Sequence, residues 1–118
     1  MQPKTTDELE SRLRGFIGTE EYHHEGLILP FTDGVKALAE EAKCYWWLSD
    51  MSIVSRMKFR NVNFQVWRIK VKNSKAVATI EDGNEKVLYT QKYSFTYFPE
   101  GEFDVWVEGG VIILKTEH

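Results

Sequence analysis

Cys44 is the one cysteine of the chain and the first residue to test as a nucleophile. A catalytic thiolate needs a partly exposed, electropositive site, with a histidine such as His23 or His24 within hydrogen-bond reach. Cys44 instead precedes three aromatic residues in an apolar segment that also leads to Asp50. Free cysteines are among the most buried residues, so we expect Cys44 to be buried and unreactive.

The histidine pair His23–His24 lies among Glu20, Glu21 and Glu25 and is the second chemical candidate. Adjacent side chains point apart in a strand and about 100° apart in a helix, so two neighbouring histidines rarely share one ion. The spacings typical of metal-binding histidines on a helix do not occur here. We therefore expect no metal site, no cofactor and no catalytic residue, and the chain is predicted not to be an enzyme.

Length and composition indicate one packed domain over residues 1–118. Hydrophobic residues make up 42% of the chain and charged residues 28%, which excludes global disorder. No apolar run approaches the roughly 18 residues that span a bilayer, and the first ten residues resemble no secretory signal. With a single cysteine there is also no internal disulfide, so the expected location is the cytoplasm.

Charge is distributed unevenly along the sequence. Residues 51–80 contain seven bases and no acid, whereas residues 1–50 contain ten acids and five bases, and residues 81–118 eight acids and three bases. The basic stretch 56–75 is either neutralised internally by its acidic neighbours or forms a binding face for nucleic acid or another polyanion. The net charge of −3 favours neutralisation, since nucleic-acid-binding domains usually carry a basic balance.

The first half of the chain, about residues 6–56, is predicted to be helical. Residues 6–15 predict a short helix that is capped by Thr6 or Asp7. Residues 32–56 carry the clearest helical pattern, with Thr32 and Asp33 as candidates for its N-cap, and a bend near 43–44 would divide it into two helices. Its apolar positions at helical spacing are Val35, Leu38, Ala39, Ala42, Trp46 and Ile53.

From about residue 62 to 116 the pattern changes to alternation, which is typical of strands. Residues 64–72, 75–81, 86–98, 102–108 and 111–116 predict five strands. Turns are expected at Asn73–Ser74, Asp82–Gly83 and Gly109–Gly110. Helices followed by a run of strands indicate an α+β fold in which N-terminal helices pack on an antiparallel meander of about five strands.

Several segments resemble a family of small bacterial and phage proteins that is known as a domain of unknown function. The central one is T-D-G-V-K-A-L-A-E-E-A-K-C-Y-W-W-L-S-D at residues 32–50, and Phe64, Gln65 and Trp67 match a second motif. Cys44 and Trp47 depart from the family pattern, which has a small residue and an aliphatic residue there. The resemblance implies one α+β domain, often encoded near phage or plasmid genes, and implies no activity or cofactor.

The residues left as candidates for function are aromatic or basic. Of the three consecutive aromatics at 45–47, Trp46 continues the apolar stripe, so either Trp47 is a surface anchor or the helix lies between two apolar layers. Phe64 shares a strand face with three bases, and this face either binds a partner or is an ordinary outer face with Phe64 tucked under the helices. The predicted function is binding of an unidentified protein partner, with nucleic acid as the alternative and no membrane association. The predicted binding residues are Trp47, Phe64, Arg68, Lys70 and Lys72.

Overall fold

The structure, a computed structural model, describes residues 2–18, 21–84 and 86–118. Three α-helices lie in the N-terminal half: α1 (Thr6–Leu13), α2 (Asp33–Glu41) and α3 (Tyr45–Lys58). The strands are β1 (Tyr22–His23), β2 (Phe31–Thr32), β3 (Phe64–Lys72), β4 (Lys75–Glu81), β5 (Val87–Tyr93), β6 (Gly101–Glu108) and β7 (Val111–Leu114). The fold is therefore α+β with N-terminal helices, as the sequence predicts.

The prediction of about five antiparallel strands is wrong in number and in direction. The strands form one sheet of seven in the order β1-β2-β7-β6-β3-β4-β5, and β2 pairs with β7 in parallel. The additional strands β1 and β2 have two residues each, which is too short for an alternating pattern to be recognised. Their pairing is set by tertiary contacts such as the 2.9 Å bond from the Ile112 N–H to the Pro30 carbonyl.

The helices begin where side chains cap them. Thr5, and not Thr6 or Asp7, caps α1 by accepting a 3.2 Å hydrogen bond from the Glu8 N–H. Thr32 caps α2 in the same way, with 3.2 Å between its Oγ1 and the Val35 N–H, so it takes the role that the sequence left open between Thr32 and Asp33. The predicted bend is confirmed, because Lys43 has a left-handed φ of +54° between α2 and α3.

The helices cover one face of the sheet, and the core lies between the two layers. Inward-facing side chains of β3 and β6 meet the apolar sides of the helices. The largest fully buried side chains of this core, from helices and strands together, include Trp47, Trp67, Phe31, Leu9, Leu38, Leu48 and Met51. Ile53 was predicted to face the core but is exposed, because the bend at Lys43 resets the helical phase of α3 relative to α2. None of the helices described is long and apolar enough to cross a membrane.

The hairpins form at the predicted turns, and two strands are shorter than predicted. The last one, predicted over 111–116, ends at Leu114. Asn73 and Ser74 both have positive φ, as a tight two-residue hairpin requires, and Gly109–Gly110 connects β6 to β7. The strand predicted over 86–98 ends at Tyr93. Beyond it the Thr96 N–H donates a 2.8 Å bond to the Ser74 carbonyl, so the chain leaves the sheet edge and passes beside the β3–β4 turn.

Candidate functional site

The outer face of the sheet, opposite the helices, carries four of the five residues that the sequence selected for binding. Along β3, Gln65, Trp67, Ile69 and Val71 are buried against the helices, and the alternate residues face outward. The predicted separation of apolar and basic side chains is therefore confirmed for Arg68, Lys70 and Lys72. Phe64 lies on the same face and is not tucked under the helices.

Arg68 is held by carboxylates from both neighbouring strands. Its Nε lies 2.8 Å from Asp104 Oδ1 on β6, and its Nη1 lies 2.8 Å from Glu81 Oε2 on β4. Glu102 approaches the same guanidinium at 3.2 Å. The hydrogen bonds that Arg68 donates to Asp104, together with the charges of the three acids, raise the pKa of Arg68. Internal neutralisation therefore describes Arg68, which joins three strands and has little capacity left for a partner.

Four lysines share the other end of this face, and we call them the lysine patch. Lys72 on β3 lies directly across from Lys75 on β4, and Lys70 and Lys92 lie on either side of Val77. In the part of the chain that the structure describes, no carboxylate lies within 4.0 Å of any of these four ammonium groups. Glu102 lies across from Lys70 on β6 without forming an ion pair with it, whereas Lys72 and Lys75 face each other as like charges, an arrangement that destabilises a sheet.

An exposed aromatic pair lies at the same end of the sheet. Phe95 is 59% exposed and Tyr97 is 75% exposed, with their rings edge to face at 4.9 Å. The bond from Thr96 to Ser74 fixes this segment beside the turn that connects Lys72 to Lys75. Both rings fall within the strand predicted over 86–98, so their exposure was not expected; the one signal in the sequence is the adjacent Pro99, which ends regular pairing.

Trp47 is not a surface anchor, and the predicted roles of the two tryptophans are reversed. Trp47 is fully buried and packs edge to face on Phe98 at 5.6 Å, and its Nε1 has no hydrogen-bond partner among the described residues. Trp46 is half-buried and packs on Tyr93 at 5.0 Å. The prediction extended the stripe of α2 through the bend, whereas the buried positions of α3 follow their own spacing at Trp47, Leu48, Met51, Ser52 and Ser55.

Phe64 belongs to an aromatic cluster at the opposite end of the outer face from the lysine patch. Its ring contacts Trp106 at 5.1 Å and His118 at 6.4 Å. His118 is held over this cluster by a 3.0 Å contact from its Nε2 to Glu108. The five predicted binding residues therefore do not form one site: only Lys70 and Lys72 belong to the lysine patch.

A second polar cluster lies at the opposite edge of the sheet, on β1 and the start of α2. His23 Nε2 lies 2.7 Å from Asp33 Oδ1, and the Glu21 N–H donates to Asp33 Oδ2 at 3.3 Å. The side-chain oxygen and nitrogen atoms of Glu21, His23 and Asp33 come within 4.8 Å of one another, and this combination of atoms can coordinate a divalent cation. The arrangement attaches β1 to α2. Glu20, considered in the sequence as a further ligand, lies outside the described residues.

The remaining chemical candidates are separated in space. Cys44 is buried, as predicted, and burial raises the pKa of its thiol, so the reactive thiolate is suppressed. Asp50 accepts a 2.6 Å hydrogen bond from the Tyr93 hydroxyl on β5, at the edge of the sheet farthest from His23. The hydrogen bond of Tyr93 was not predicted, because strand alternation predicts which face of the sheet a residue occupies but not the partner of its hydroxyl group.

Comparison with known proteins identifies a family. Residues 7–118 match a family described as "Family of unknown function (DUF6876)". The chain belongs to this family. None of the curated proteins compared with it matches. A crystal structure of a protein of unknown function from Enterococcus faecalis is similar, with 13% identity and a TM-score of 0.44 over 62% of this chain and 76% of that one.

In this DUF6876 member, the central motif builds a structural junction. Thr32 Oγ1 donates a 2.6 Å bond to Glu117 Oε1, and the Gly34 N–H donates to Glu117 Oε2 at 3.3 Å. A Cβ on Gly34 would lie 2.7 Å from both Glu117 Oε1 and a Leu114 methyl group. The T-D-G segment therefore connects the start of α2 to the short 3-10 helix Lys115–Glu117 that follows β7, a structural role that needs no ligand.

Proposed function

We propose that the protein is a non-enzymatic binding protein that recognises an acidic segment of another protein through the lysine patch and the Phe95–Tyr97 pair. The observation that carries this proposal is the facing of Lys72 and Lys75 without a carboxylate between them. Arg68 provides the contrast on the same face: its side chain is 29% exposed and forms ion pairs with three acids, whereas no such pair is formed by the four lysines among the described residues.

The chemistry of the surface fits an acidic peptide with an apolar side chain. Exposed ammonium groups contribute little to stability but increase the rate of encounter with an anionic partner. Aromatic side chains provide most of the binding energy in many interfaces, where they fill a pocket of the partner. The lysine patch would therefore orient the partner, and Phe95 and Tyr97 would anchor it.

Nucleic acid is the alternative partner, and the overall charge argues against it. The chain carries a net charge of −3, so a long polyphosphate meets overall repulsion. Glu100, whose carboxylate accepts a 2.9 Å bond from the Asn73 N–H, adds a negative charge beside the turn of the patch and opposes either anionic partner at that point. Cytoplasmic location and an origin in a bacterium or its mobile elements stay predictions.

Titration with defined probes tests the proposal. The probes are a peptide of alternating glutamate and phenylalanine, and single- and double-stranded DNA and RNA, each at low and moderate salt. The patch variant changes Lys70, Lys72, Lys75 and Lys92 to Gln. The matched control changes Lys4, Lys43, Lys86 and Lys115 to Gln, which alters the net charge equally at exposed positions elsewhere.

We expect the peptide to bind the wild-type chain and the control but not the patch variant. In the wild-type background, Phe95→Ala with Tyr97→Ala should also weaken binding of the peptide. Equal loss in the patch variant and the control would reduce the effect to net charge and contradict a specific site. Tight, salt-sensitive binding of nucleic acid that only the patch variant abolishes would establish the alternative, because phosphate contacts release counterions.

A further inference from the structure

We infer that β5 and α3 form an interface for a second copy of this chain, in which the two β5 strands pair antiparallel about a two-fold axis. The interface shares Lys92 with the lysine patch but is argued from other observations. It stands on the free edge of β5, on exposed apolar side chains beside that edge, and on the distribution of charge along α3.

The backbone groups at the edge can be assigned from the hairpin geometry. The two-residue turn makes Lys72 and Lys75 a hydrogen-bonded pair, and bonding then alternates along β4. Ala76, Ala78 and Ile80 consequently bond to their partners in β5, which are Tyr93, Gln91 and Tyr89. The N–H and C=O groups of Leu88, Thr90 and Lys92 therefore point to the other side of β5.

No described strand occupies that other side, because β5 is the last strand of the sheet. Such an edge is a template for pairing, and proteins usually protect it with a proline, a bulge or charged side chains, of which β5 carries one, Lys92. The seven residues Val87–Tyr93 contain no proline. The one register irregularity of the β4–β5 pair lies at Ile80/Glu81, next to the first residue of β5.

A two-fold axis at Thr90 gives a register without conflict. Thr90 then faces Thr90 of the second copy, and Lys92 faces Leu88, so no like charges oppose each other. All six free backbone groups of each strand take part, and a threonine pair across strands is favourable. The result is one continuous sheet through both copies.

Helix α3 runs alongside this edge in the opposite direction to β5. At one end Tyr93 contacts Trp46 and Asp50, and at the other Tyr89 contacts Phe59 at 6.2 Å and lies under the Lys58 ammonium group at 5.2 Å. The two α3 helices would therefore also lie side by side and antiparallel.

The side chains of α3 suit a copy of itself. Ile53 is 51% exposed and Met57 is 77% exposed, and both lie on the side of the helix that carries Trp46. Asp50, which accepts from the Tyr93 hydroxyl, is the one acid of α3 and lies in its first half. Near the end of the helix, Arg56 donates to the Leu27 carbonyl and Lys58 lies over the Tyr89 ring. Antiparallel pairing would bring Asp50 of each helix towards the basic end of the other, a charge complementarity that a two-fold interface can use.

A cysteine scan tests the register directly. Directly opposed residues of a hydrogen-bonded pair have Cα atoms about 5.5 Å apart, which is suitable for a disulfide. We expect Thr90→Cys to form a covalent dimer under mild oxidation. The matched control is Lys92→Cys on the same strand and face, whose two copies would be about 13 Å apart at a rise of about 3.3 Å per residue. Cys44 is buried and does not compete.

Sedimentation of the wild-type chain between low and high micromolar concentration supplies the second measurement. We expect a concentration-dependent dimer, whose dissociation constant rises by about tenfold or more in Met57→Lys and in Thr90→Lys. Ile17→Lys is the control, because Ile17 is also 77% exposed but follows α1, away from β5. A wild-type monomer throughout, equal cross-linking at positions 90 and 92, or a dimer that neither variant weakens would overturn the inference.

Discussion

The Tyr93 hydroxyl donates a 2.6 Å hydrogen bond to Asp50 Oδ2 and so connects the edge strand β5 to helix α3. Burial of the phenol, together with this bond and the charge of Asp50, raises the pKa of Tyr93. The folded state therefore keeps the phenolic proton in a pH range where the unfolded chain, with a pKa of about 10, loses it.

Stability is accordingly expected to decrease in alkali. Above about pH 10 the unfolded state binds fewer protons than the folded state, so the free energy of unfolding falls as pH rises. Tyr93→Phe should cost about 1–3 kcal/mol at neutral pH, since a bond to a charged group is lost, and should flatten the decline above pH 10. Urea unfolding at pH 7, 9 and 10.5 measures both effects, and an unchanged slope in the variant would contradict the assignment.

The buried thiol of Cys44 should cause a separate decrease in stability that begins at lower pH than the decrease due to Tyr93. Its pKa is raised by burial, whereas a thiol in the unfolded chain ionises at about pH 8.5. Between about pH 8.5 and 10, Cys44→Ala should therefore remove part of the pH dependence that the wild-type chain retains. The same unfolding series checks this, with Tyr93→Phe as the comparison, because that variant should behave like wild type in this interval.

The two tryptophans of α3 should differ strongly when truncated. Trp47 is fully buried against Phe98, so Trp47→Ala should cost about 3–5 kcal/mol or prevent folding. Trp46 keeps part of its surface in water, so Trp46→Ala should reduce the free energy of unfolding by less. Thermal unfolding of both variants measures the difference, and equal losses would mean that Trp46 contributes as much packing as its neighbour.

Periodicity predicted most of the fold, and the errors share one physical cause. The position of the turn at Asn73–Ser74 and the bend near Lys43 depend on local residues, and both were predicted. The short strands β1 and β2 and the burial of Trp47 depend on which segments meet in space. The lysine patch needed the register of β3, β4 and β5, because Lys92 is far from the basic stretch in sequence.

Gly101, the first residue of β6, is expected to tolerate no side chain. Its φ is +127°, and a Cβ there would collide with the buried Thr6 hydroxyl at the start of α1. Gly101→Ala should therefore cost about 2–4 kcal/mol through backbone strain and overpacking. Gly15→Ala, with open space around it, is the control. Adding Thr6→Ala to Gly101→Ala should recover part of the loss; no recovery would assign the cost to strain alone.

The bases of β3 should separate into one structural residue and two exposed residues. Arg68→Gln leaves Glu81, whose side chain is only 9% exposed, without its 2.8 Å partner on β3, and the expected cost is about 1–3 kcal/mol. Lys70→Gln with Lys72→Gln should change stability by less than about 0.5 kcal/mol, because neither ammonium group lies within 4.0 Å of a described carboxylate, although Glu102 is the cross-strand neighbour of Lys70. Chemical denaturation of both variants tests this separation. Destabilisation of the double lysine variant by as much as Arg68→Gln would mean that the patch is neutralised within the fold, and the proposed binding surface would lose its basis.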